Sequence, residues 1–243
     1  MNLRDHYKNY YTEQNGSDWR ELSARYKAEN IIKLYTSAGS NIAPNMVELG
    51  CGDGAIAREL ERMGFGKTYV GYEISDSAIA KAQARNYDNP TKFKFFDGVR
   101  TDAEAKSFDL AIVSHVLEHV EDPRILLREA ARLSNNVFIE VPLELNIRTS
   151  RDFRWTSTGH INLYNPIVIR HLVQSTGLQI QSEQVTCAGL PVFTFQRSKL
   201  RGIVHWAIKS MILRFMPSVA WRLFTYHGSL LATPGELNLT TEN

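Results

Sequence analysis

The amino-acid sequence predicts an α/β fold with a doubly wound, mostly parallel sheet of seven strands. From Met46 onward, short apolar runs alternate with amphipathic runs, which is typical of strand–helix–strand units. Two proline-containing helix starts, Asp122-Pro123 and Asn165-Pro166, fall where this alternation requires a helix to begin. The chain has 243 residues, of which 43% are hydrophobic and 22% charged, so it can bury the core that such a sheet needs.

Six strands and their intervening helices follow in order along this pattern. The predicted strands cover residues 46–49, 68–74, 92–96, 108–113, 136–141 and 178–186. The fifth is almost entirely apolar, which indicates burial on both faces of the sheet. The predicted helices cover residues 22–35, 55–63, 75–86 and 125–133, followed by a helix that begins at Pro166 and ends at Gly177.

A helical stretch of about residues 199–224 separates the sixth strand from a late strand at residues 226–233. We expect the late strand to lie antiparallel beside the sixth, which makes the helical stretch an insertion in the final hairpin. The expected organisation is an N-terminal helical cap with the first helix (1–40), a core (41–198), a basic amphipathic insertion (199–225), and the last strand with its tail (226–243).

The formal net charge of +2 hides a separation of charge along the chain. The rest of the sequence has 22 basic and 26 acidic residues, a net charge of −4, while residues 184–235 contain no carboxylate. The net negative charge outside this stretch argues against nucleic-acid binding. The basic stretch, residues 184–235, is therefore the segment whose charge points to a partner. Its six basic residues are Arg197, Lys199, Arg201, Lys209, Arg214 and Arg222.

Cysteine usage and the N-terminal residues favour a reducing, cytoplasmic location. Cys51 and Cys187 lie far apart in apolar runs, without a disulfide framework or metal-ligand spacing. The first residues lack the apolar segment of a signal peptide. No run of 18 uncharged apolar residues predicts a membrane-spanning helix.

A glycine-rich turn marks the end of the first predicted strand, with the sequence Glu48-Leu49-Gly50-Cys51-Gly52-Asp53-Gly54. Glycines there allow a sharp turn and a close backbone approach to a ligand, and the next helix offers unpaired N–H groups. Glu73, at the end of the second strand, is positioned to accept hydrogen bonds from ribose hydroxyls. The G-x-G-x-G spacing differs from the dinucleotide fingerprint, so the pattern predicts another nucleoside cofactor.

Residues 26–186 resemble the class I S-adenosylmethionine-dependent methyltransferases. The likeness is carried by the glycine-rich turn, by Glu73 and Asp97, and by the segment Ser114-His115-Val116-Leu117-Glu118-His119-Val120. It implies a Rossmann-like methyltransferase fold and S-adenosylmethionine as the cofactor. It also implies the cofactor contacts: Glu48, Gly50 and Gly52 around the methionine portion, Glu73 on the ribose, Ile74 against the adenine, Asp97 and Gly98 near the adenine amino group, and Ser114 near the sulfonium.

His160 and His115 are the candidates for catalysis. In-line methyl transfer requires the protein to align the acceptor, exclude water and, for a hydroxyl acceptor, take a proton. His115 follows the fourth strand, and His160 lies in a polar loop after the fifth strand, where ligands bind in open α/β sheets. The alternative for His160 is that it holds a long loop in place. His119 is interpreted as a residue that orders its turn.

The same loop and the N-terminal segment supply candidate acceptor contacts. Its arginines, Arg148 included, either pair with Glu140 and Glu144 or bind an anionic acceptor. The aromatic N-terminal segment resembles the cap of small-molecule methyltransferases, or it packs as a strap on the domain. A metal site of Glu140, Glu144 and His160 is an alternative, but no tight ligand motif supports it and no metal is predicted. The predicted acceptor contacts are Tyr11, Glu144, Arg151, Arg154 and Trp155.

The basic stretch has the profile of an interfacial or partner-binding helix. One helical face is apolar, and the opposite face carries Arg201, His205 and Lys209. We expect the stretch either to pack on its own domain or a dimer partner, or to contact an anionic membrane surface. The apolar face comprises Val204, Ile208, Met211, Ile212 and Phe215.

These features together predict an S-adenosylmethionine-dependent O-methyltransferase that acts on a small polar or sugar-like acceptor. N-methylation of a small amine or nucleotide-linked sugar is the alternative reaction. Cofactor binding without catalysis, as a regulatory subunit, is the alternative from another class. The expected partners are the small-molecule acceptor and a membrane surface or second copy at residues 199–224, with no nucleic acid.

Overall fold

The computed structural model describes residues 17–39, 42–149, 159–195 and 198–235. Seven strands lie in these ranges, each within a few residues of its predicted position. They are β1 (Asn45–Leu49), β2 (Thr68–Glu73), β3 (Thr91–Phe95), β4 (Phe108–Ser114), β5 (Ser134–Pro142), β6 (Leu178–Thr186) and β7 (His227–Pro234).

The strands form one sheet in the order β3-β2-β1-β4-β5-β7-β6. β1 to β5 run parallel, and β7 lies antiparallel between β5 and β6. The predicted doubly wound sheet and its antiparallel late strand are therefore confirmed. Because β1 to β4 run in the same direction, their carboxyl ends meet at one edge of the sheet, which is called the carboxyl edge below.

In the described residues, five helices surround the sheet before β6, and side-chain cap bonds mark the start of three of them. The side chains of Ser75, Asp122 and Asn165 accept hydrogen bonds from backbone N–H groups of the first turns at 3.4, 3.0 and 2.9 Å. The helix starts predicted at Asp122-Pro123 and Asn165-Pro166 are thus confirmed. The helices are α1 (Ser17–Ser37), α2 (Ala55–Arg62), α3 (Asp76–Gln83), α4 (Pro123–Leu133) and α5 (Pro166–Gln174).

Alternate residues of the central strands enter two apolar clusters on opposite faces of the sheet. Leu110 and Ile112 of β4 pack with α1 and α2, whereas Ala111 and Val113 pack with α4 and α5. The central strands are therefore buried on both faces, as their apolar composition predicts. Only their ends at the carboxyl edge remain for a ligand.

The part of the chain that the structure describes has three helices between β6 and β7: α6 (Leu190–Phe195), α7 (Lys199–Phe215) and α8 (Pro217–Leu223). The sequence pattern predicts the stretch that contains α7 and α8, but not α6. Pro217 separates α7 from α8 because a proline lacks the N–H that a continuous helix needs. The division of the chain into cap, core and insertion stays a prediction.

The orientation of α7 differs from the amphipathic pattern of the sequence. Lys209 is buried, its ammonium donates to the carbonyl of Thr225, and it lies over the rings of Phe193 and Tyr226. His205 packs between Phe193 and Phe224 on the same side. Part of the predicted polar face thus packs against the protein. Much of the predicted apolar face is exposed, and so are apolar residues towards both ends of the helix. These side chains are 37 to 73% exposed: Leu200, Ile203, Val204, Ile208, Met211, Phe215 and Met216.

Within residues 17–39, 42–149, 159–195 and 198–235, no helix is both long and apolar enough to cross a membrane.

Candidate active site

The predicted cofactor residues all lie at the carboxyl edge. Gly50 follows β1, Glu73 ends β2, Asp97 follows β3 and Ser114 ends β4. The sheet order places these four strand ends side by side. The structure therefore brings together residues that are far apart in the sequence.

The turn after β1 requires glycine at Gly50 and Gly54. Gly50 has a φ angle of +82°, and a Cβ atom there would lie 2.4 Å from Cγ2 of Val116. A Cβ on Gly54 would lie 2.5 Å from the hydroxyl of Tyr87, again at positive φ. The backbone N–H groups of Gly50 and Cys51 both donate to the carbonyl of Tyr72. The turn is thus a tight cradle that leaves no room for a side chain at Gly50 or Gly54, as close approach to a ligand demands.

Glu73 is buried beside this turn and bonds to backbone groups. It accepts hydrogen bonds from the N–H groups of Gly52, Ile74 and Ser75 at 2.9, 2.9 and 3.0 Å. Burial raises the pKa of its carboxyl above the usual value, although these three hydrogen bonds act in the opposite direction. A carboxylate offers about four acceptor positions, so about one remains for a ribose hydroxyl.

Glu48 lies beneath the turn, on the face of the sheet that α1 and α2 cover. Its carboxylate accepts a hydrogen bond from the hydroxyl of Tyr69. Burial raises its pKa to about 7, although Tyr69 and Lys27 lower it. The predicted contact of Glu48 with the methionine portion stays a prediction. The structure adds that this group supports the strand beneath the glycine-rich turn.

The remaining predicted cofactor residues differ in exposure. Asp97 is exposed and accepts a hydrogen bond from the N–H of Val99, in the turn that contains Gly98 at a φ angle of +90°. Ile74 is half-buried. Ser114 is buried, and its hydroxyl has no hydrogen-bond partner among the described residues. An unsatisfied hydroxyl at this edge fits a site for a polar ligand.

His160 forms a close pair with Glu144. Nδ1 of His160 lies 2.6 Å from Oε2 of Glu144, and the ring packs edge-on against His119 at 4.7 Å. Burial lowers the pKa of His160, but the hydrogen bond and the charge of Glu144 raise it by more, so the net pKa lies above the usual value. The loop after β5 therefore carries a histidine–carboxylate pair that reaches the loop after β4.

His115 lies between two buried carboxylates. Its Nδ1 is 3.2 Å from Oε1 of Glu118, and its Nε2 is 3.4 Å from Oε1 of Glu140. Its φ angle is +55°, a strained conformation for a residue with a side chain. Burial raises the pKa of Glu118, but His115 and His119 lower it by more, to about 2. Burial also raises the pKa of Glu140, but His115 and His227 lower it by more, to well below its usual range.

Of the arginines predicted to pair with Glu140 and Glu144, only Arg148 lies in the described residues, and it pairs with neither carboxylate; pairing by Arg151 and Arg154 stays a prediction. Glu144 pairs with His160, and Oε2 of Glu140 accepts hydrogen bonds from Asn30 and Ser229, both at 2.7 Å. Arg148 lies over the ring of Phe224 instead. Glu140, Glu144 and His160, the alternative metal ligands considered from the sequence, are not among the described groups of side chains close enough to share an ion. Four predicted acceptor contacts, Tyr11, Arg151, Arg154 and Trp155, lie outside the described residues.

Sequence reasoning did not identify several residues that complete this edge. His227, at the start of β7, lies 4.9 Å from His115 between ring centroids. Lys27 of α1 has a pKa lowered by burial, although Glu140, Glu118 and Glu48 act to raise it. Asn30, also in α1, holds Glu140. These contacts join elements that are far apart in the chain, so no local sequence motif predicts them.

Comparisons with known proteins agree with this arrangement. A family model described as a methyltransferase domain matches residues 16–183, more than half of the chain. The chain therefore belongs to the methyltransferase domain family, in the class that uses S-adenosylmethionine.

The curated relatives match only part of their length. The ubiquinone biosynthesis O-methyltransferase of Azorhizobium caulinodans is 29% identical over 142 residues, which is 58% of this chain and 53% of that protein. The protein of the same name from Vibrio parahaemolyticus is 23% identical over 130 residues, 50% of this chain and 54% of that one. The chain spans about half the length of the curated relatives it matches.

Solved structures share the fold at low identity. Magnesium protoporphyrin IX methyltransferase from Synechocystis PCC 6803, solved with bound S-adenosylmethionine, has a TM-score of 0.61 at 14% identity, covering 97% of this chain and 98% of that one. Phosphoethanolamine N-methyltransferase 2 from Haemonchus contortus, also in complex with S-adenosylmethionine, has a TM-score of 0.64 at 16% identity, covering 97% of this chain and 60% of that one. These likenesses show the fold.

Proposed function

We propose that this protein transfers a methyl group to a hydroxyl of a small polar or sugar-like acceptor. The observation that carries the proposal is the pair of His160 and Glu144, which packs against His119 in the loop after β4. A hydroxyl acceptor needs a proton acceptor, and a histidine oriented by a carboxylate is suited to that task. The names of the curated relatives support transfer to oxygen.

The carboxyl edge supplies the residues that would hold the cofactor. The cradle of Gly50 and Gly52, the carboxylate of Glu73 and the unsatisfied hydroxyl of Ser114 fit a nucleoside with a polar tail. Bound there, S-adenosylmethionine supplies a methyl group that is already activated by the positive sulfur. Glu48, Ile74, Asp97 and Gly98 complete the proposed cofactor site.

His160 would take the proton of the acceptor hydroxyl. With Nδ1 of the neutral ring donating to Glu144, the lone pair of the ring is on Nε2, which can accept a proton. Glu144 then stabilises the imidazolium that forms. Tyr11, Arg151, Arg154 and Trp155 remain proposed acceptor contacts. His115 is the second proposed catalytic residue, and its contacts with two carboxylates give it a further role that is argued below.

The matched variants His160→Ala and His171→Ala test this function. His171 is an exposed histidine on α5, outside the site. Labelled S-adenosylmethionine is supplied with hydroxyl acceptors of phenol, diol and sugar type, and with small amines. We expect methylated hydroxyl products from the wild-type protein and from His171→Ala. His160→Ala should lose about 10²- to 10⁴-fold in rate, the usual contribution of a general base, while its affinity for S-adenosylhomocysteine stays within about two-fold.

Three outcomes of that experiment would contradict the proposal. An unchanged rate in His160→Ala would remove the assignment of the base. Methylation of amines alone would favour the N-methyltransferase alternative. Cofactor binding without transfer to any acceptor would favour a regulatory subunit.

We also propose that the protein works in the cytoplasm at an anionic membrane surface, which it contacts through α7. The exposed apolar face of α7 supports this location, because such a face is costly in water. Lys199, Arg201 and Arg214 are exposed on the same helix, and residues 184–235 contain no carboxylate to repel anionic lipid. A second copy of the chain is the alternative partner for this face.

A further inference from the structure

Three side chains converge at the carboxyl edge from the ends of three neighbouring strands. His115 follows β4, Glu140 belongs to β5 and His227 begins β7. Oε1 of Glu140 lies 3.4 Å from Nε2 of His115 and 3.8 Å from Nδ1 of His227. One nitrogen or oxygen atom from each residue lies within 4.8 Å of the other two.

Two of the three converging atoms are unsatisfied within the described part of the chain, apart from the ion-pair contact that they make with each other. Among the described residues, neither Nε2 of His115 nor Oε1 of Glu140 has a partner with hydrogen-bond geometry. Glu140 is fully buried, and a buried carboxylate oxygen without a partner is costly. The cost is removed if a ligand lies between the three side chains.

The opposite atoms of Glu140 and His115 lie beside other polar side chains. Oε2 of Glu140 accepts hydrogen bonds from Asn30 and Ser229, both at 2.7 Å. Nδ1 of His115 faces the carboxylate of Glu118 at 3.2 Å. A carboxylate that holds the far nitrogen of a histidine is the arrangement that orients metal-bound histidines and fixes their tautomer.

We propose that His115, Glu140 and His227 bind a divalent transition-metal ion of the zinc class. Two imidazoles and one carboxylate are a ligand set that zinc accepts when a fourth position stays open. Ligand atoms of a tetrahedral site with bonds of roughly 2.0–2.2 Å lie roughly 3.3–3.6 Å apart. The two separations from Oε1 of Glu140, 3.4 and 3.8 Å, are close to this range, and all three ligand atoms lie within 4.8 Å of one another. The side chains of His115 and His227 are 19% and 24% exposed, so solvent or a ligand oxygen can reach the open position.

The role of this ion rests on the proposed function. A divalent ion at this edge would bind an oxygen of the acceptor and lower the pKa of its hydroxyl. His160 then takes the proton from a hydroxyl that is already polarised. The acceptor class narrows accordingly to molecules that present an oxygen donor to the ion, such as a diol or a phenol with a neighbouring oxygen.

Metal binding is measured directly on the full chain. Protein dialysed against a chelator is titrated with Zn²⁺ by calorimetry and with Co²⁺ by visible absorption. We expect one ion per chain and a Co²⁺ spectrum typical of four ligands. His227→Gln and His115→Gln should each weaken binding by more than the 10- to 100-fold that loss of an outer-shell partner costs, and Ser229→Ala should weaken it by about 10-fold.

Two controls separate this site from its surroundings. His171→Gln removes an exposed histidine on α5 and should leave the affinity unchanged. His119→Gln tests the neighbouring group of Glu118, His119 and His160, which could also hold an ion. Circular dichroism and thermal melting verify that each variant folds. If a variant of a metal ligand does not fold, Ser229→Ala tests the site in its place.

The outcomes distinguish this inference from the proposed function. Wild-type protein that binds no ion, or that loses binding in His119→Gln and keeps it in His227→Gln, would overturn the metal site. If chelated protein still methylates hydroxyl acceptors at the full rate, the ion has no part in transfer, while the proposed function stands. Tight binding that depends on His227, without methyl transfer, would support the site and refute the proposed function.

Discussion

At the scale of single residues, Glu144 controls the proton affinity of His160. Among the described residues, the charged and titratable groups that act on this ring include Glu144 on the loop after β5, and Glu118, His119 and His115 on the loop after β4. Glu144 raises the pKa of His160 against the effect of burial. Because a general base must be neutral, the methyl-transfer rate should rise with pH through this raised pKa.

Glu144→Gln therefore has a predicted direction in a pH–rate profile. Loss of the carboxylate lowers the pKa of His160, so the acid limb of kcat/KM should move to lower pH. The rate on the plateau should fall by about 10-fold or more, because the imidazolium is no longer stabilised. Glu144→Asp should restore part of both effects. An acid limb that stays in place in Glu144→Gln would assign the titration to another group.

Single residues also show how far the sequence predicts the site. The spacing of Gly50, Gly52 and Glu73 is local, and the structure places these residues together at the predicted edge. The partner of His160 was not predicted as such, since Glu144 was assigned to the acceptor. His227 and Asn30 were not predicted at all, because they reach Glu140 only through the pairing of β7 with β5 and the packing of α1.

At the scale of elements, α7 shows the limit of periodicity as a predictor. Apolar residues at helical spacing define a face, but they do not determine whether that face meets the protein or the solvent. The stem of Lys209 packs beneath the helix while its ammonium bonds to Thr225, so a charged residue occupies the inner face. Strand positions and helix caps were predicted well because they depend on local sequence.

The outward face of α7 makes a prediction about lipid surfaces. Burial of a large apolar side chain contributes roughly 1.5–3 kcal/mol, so a double variant of Met211→Ser and Phe215→Ser should weaken binding to anionic vesicles by at least about 100-fold. The matched control is Ile42→Ser with Ile167→Ser, which removes apolar side chains 71% and 55% exposed elsewhere, against 56% and 72% in the test pair. Sedimentation with vesicles of phosphatidylglycerol in phosphatidylcholine measures the bound fraction.

Three results would decide between the partners of α7. Binding that falls in the α7 variant and at high salt, and that is absent on pure phosphatidylcholine, supports an anionic membrane. Equal binding by both double variants would reject the membrane surface at α7. A chain that binds no vesicles but dissociates from dimer to monomer in the α7 variant would assign the face to a second copy.

At the scale of the whole molecule, the sheet order concentrates chemistry at one edge. β1 to β4 place the glycine-rich turn and Glu73 beside the loop after β4, and β7 inserts beside β5 to add His227. The net charge of +2 is the sum of −4 outside residues 184–235 and of the six Lys and Arg residues within them. The order of parallel strands follows from the alternation of strands and helices, whereas the position of β7 depends on tertiary pairing.

Cofactor binding at this edge should stabilise the whole fold. A ligand at 100 times its Kd adds about 2.7 kcal/mol to the free energy of unfolding, and each kcal/mol raises Tm by roughly 2–4 °C in a chain of this size. S-adenosylhomocysteine should thus raise Tm by about 5–11 °C, as measured by scanning calorimetry. Gly50→Ala should lose most of this rise, because its Cβ would meet Val116 and the positive φ angle costs about 1–2 kcal/mol.

Gly64→Ala isolates backbone strain from the cofactor site. Gly64 has a φ angle of +67°, and no atom lies within 4 Å of a Cβ built there. Gly64→Ala should lower the Tm of the ligand-free protein, because the backbone strain at this position is comparable to that in Gly50→Ala. The rise in Tm with S-adenosylhomocysteine should stay complete, because Gly64 lies beyond α2, away from the carboxyl edge. An equal rise in Gly50→Ala and Gly64→Ala would show that the turn after β1 does not hold the cofactor, and no rise in the wild-type protein would refute cofactor binding itself.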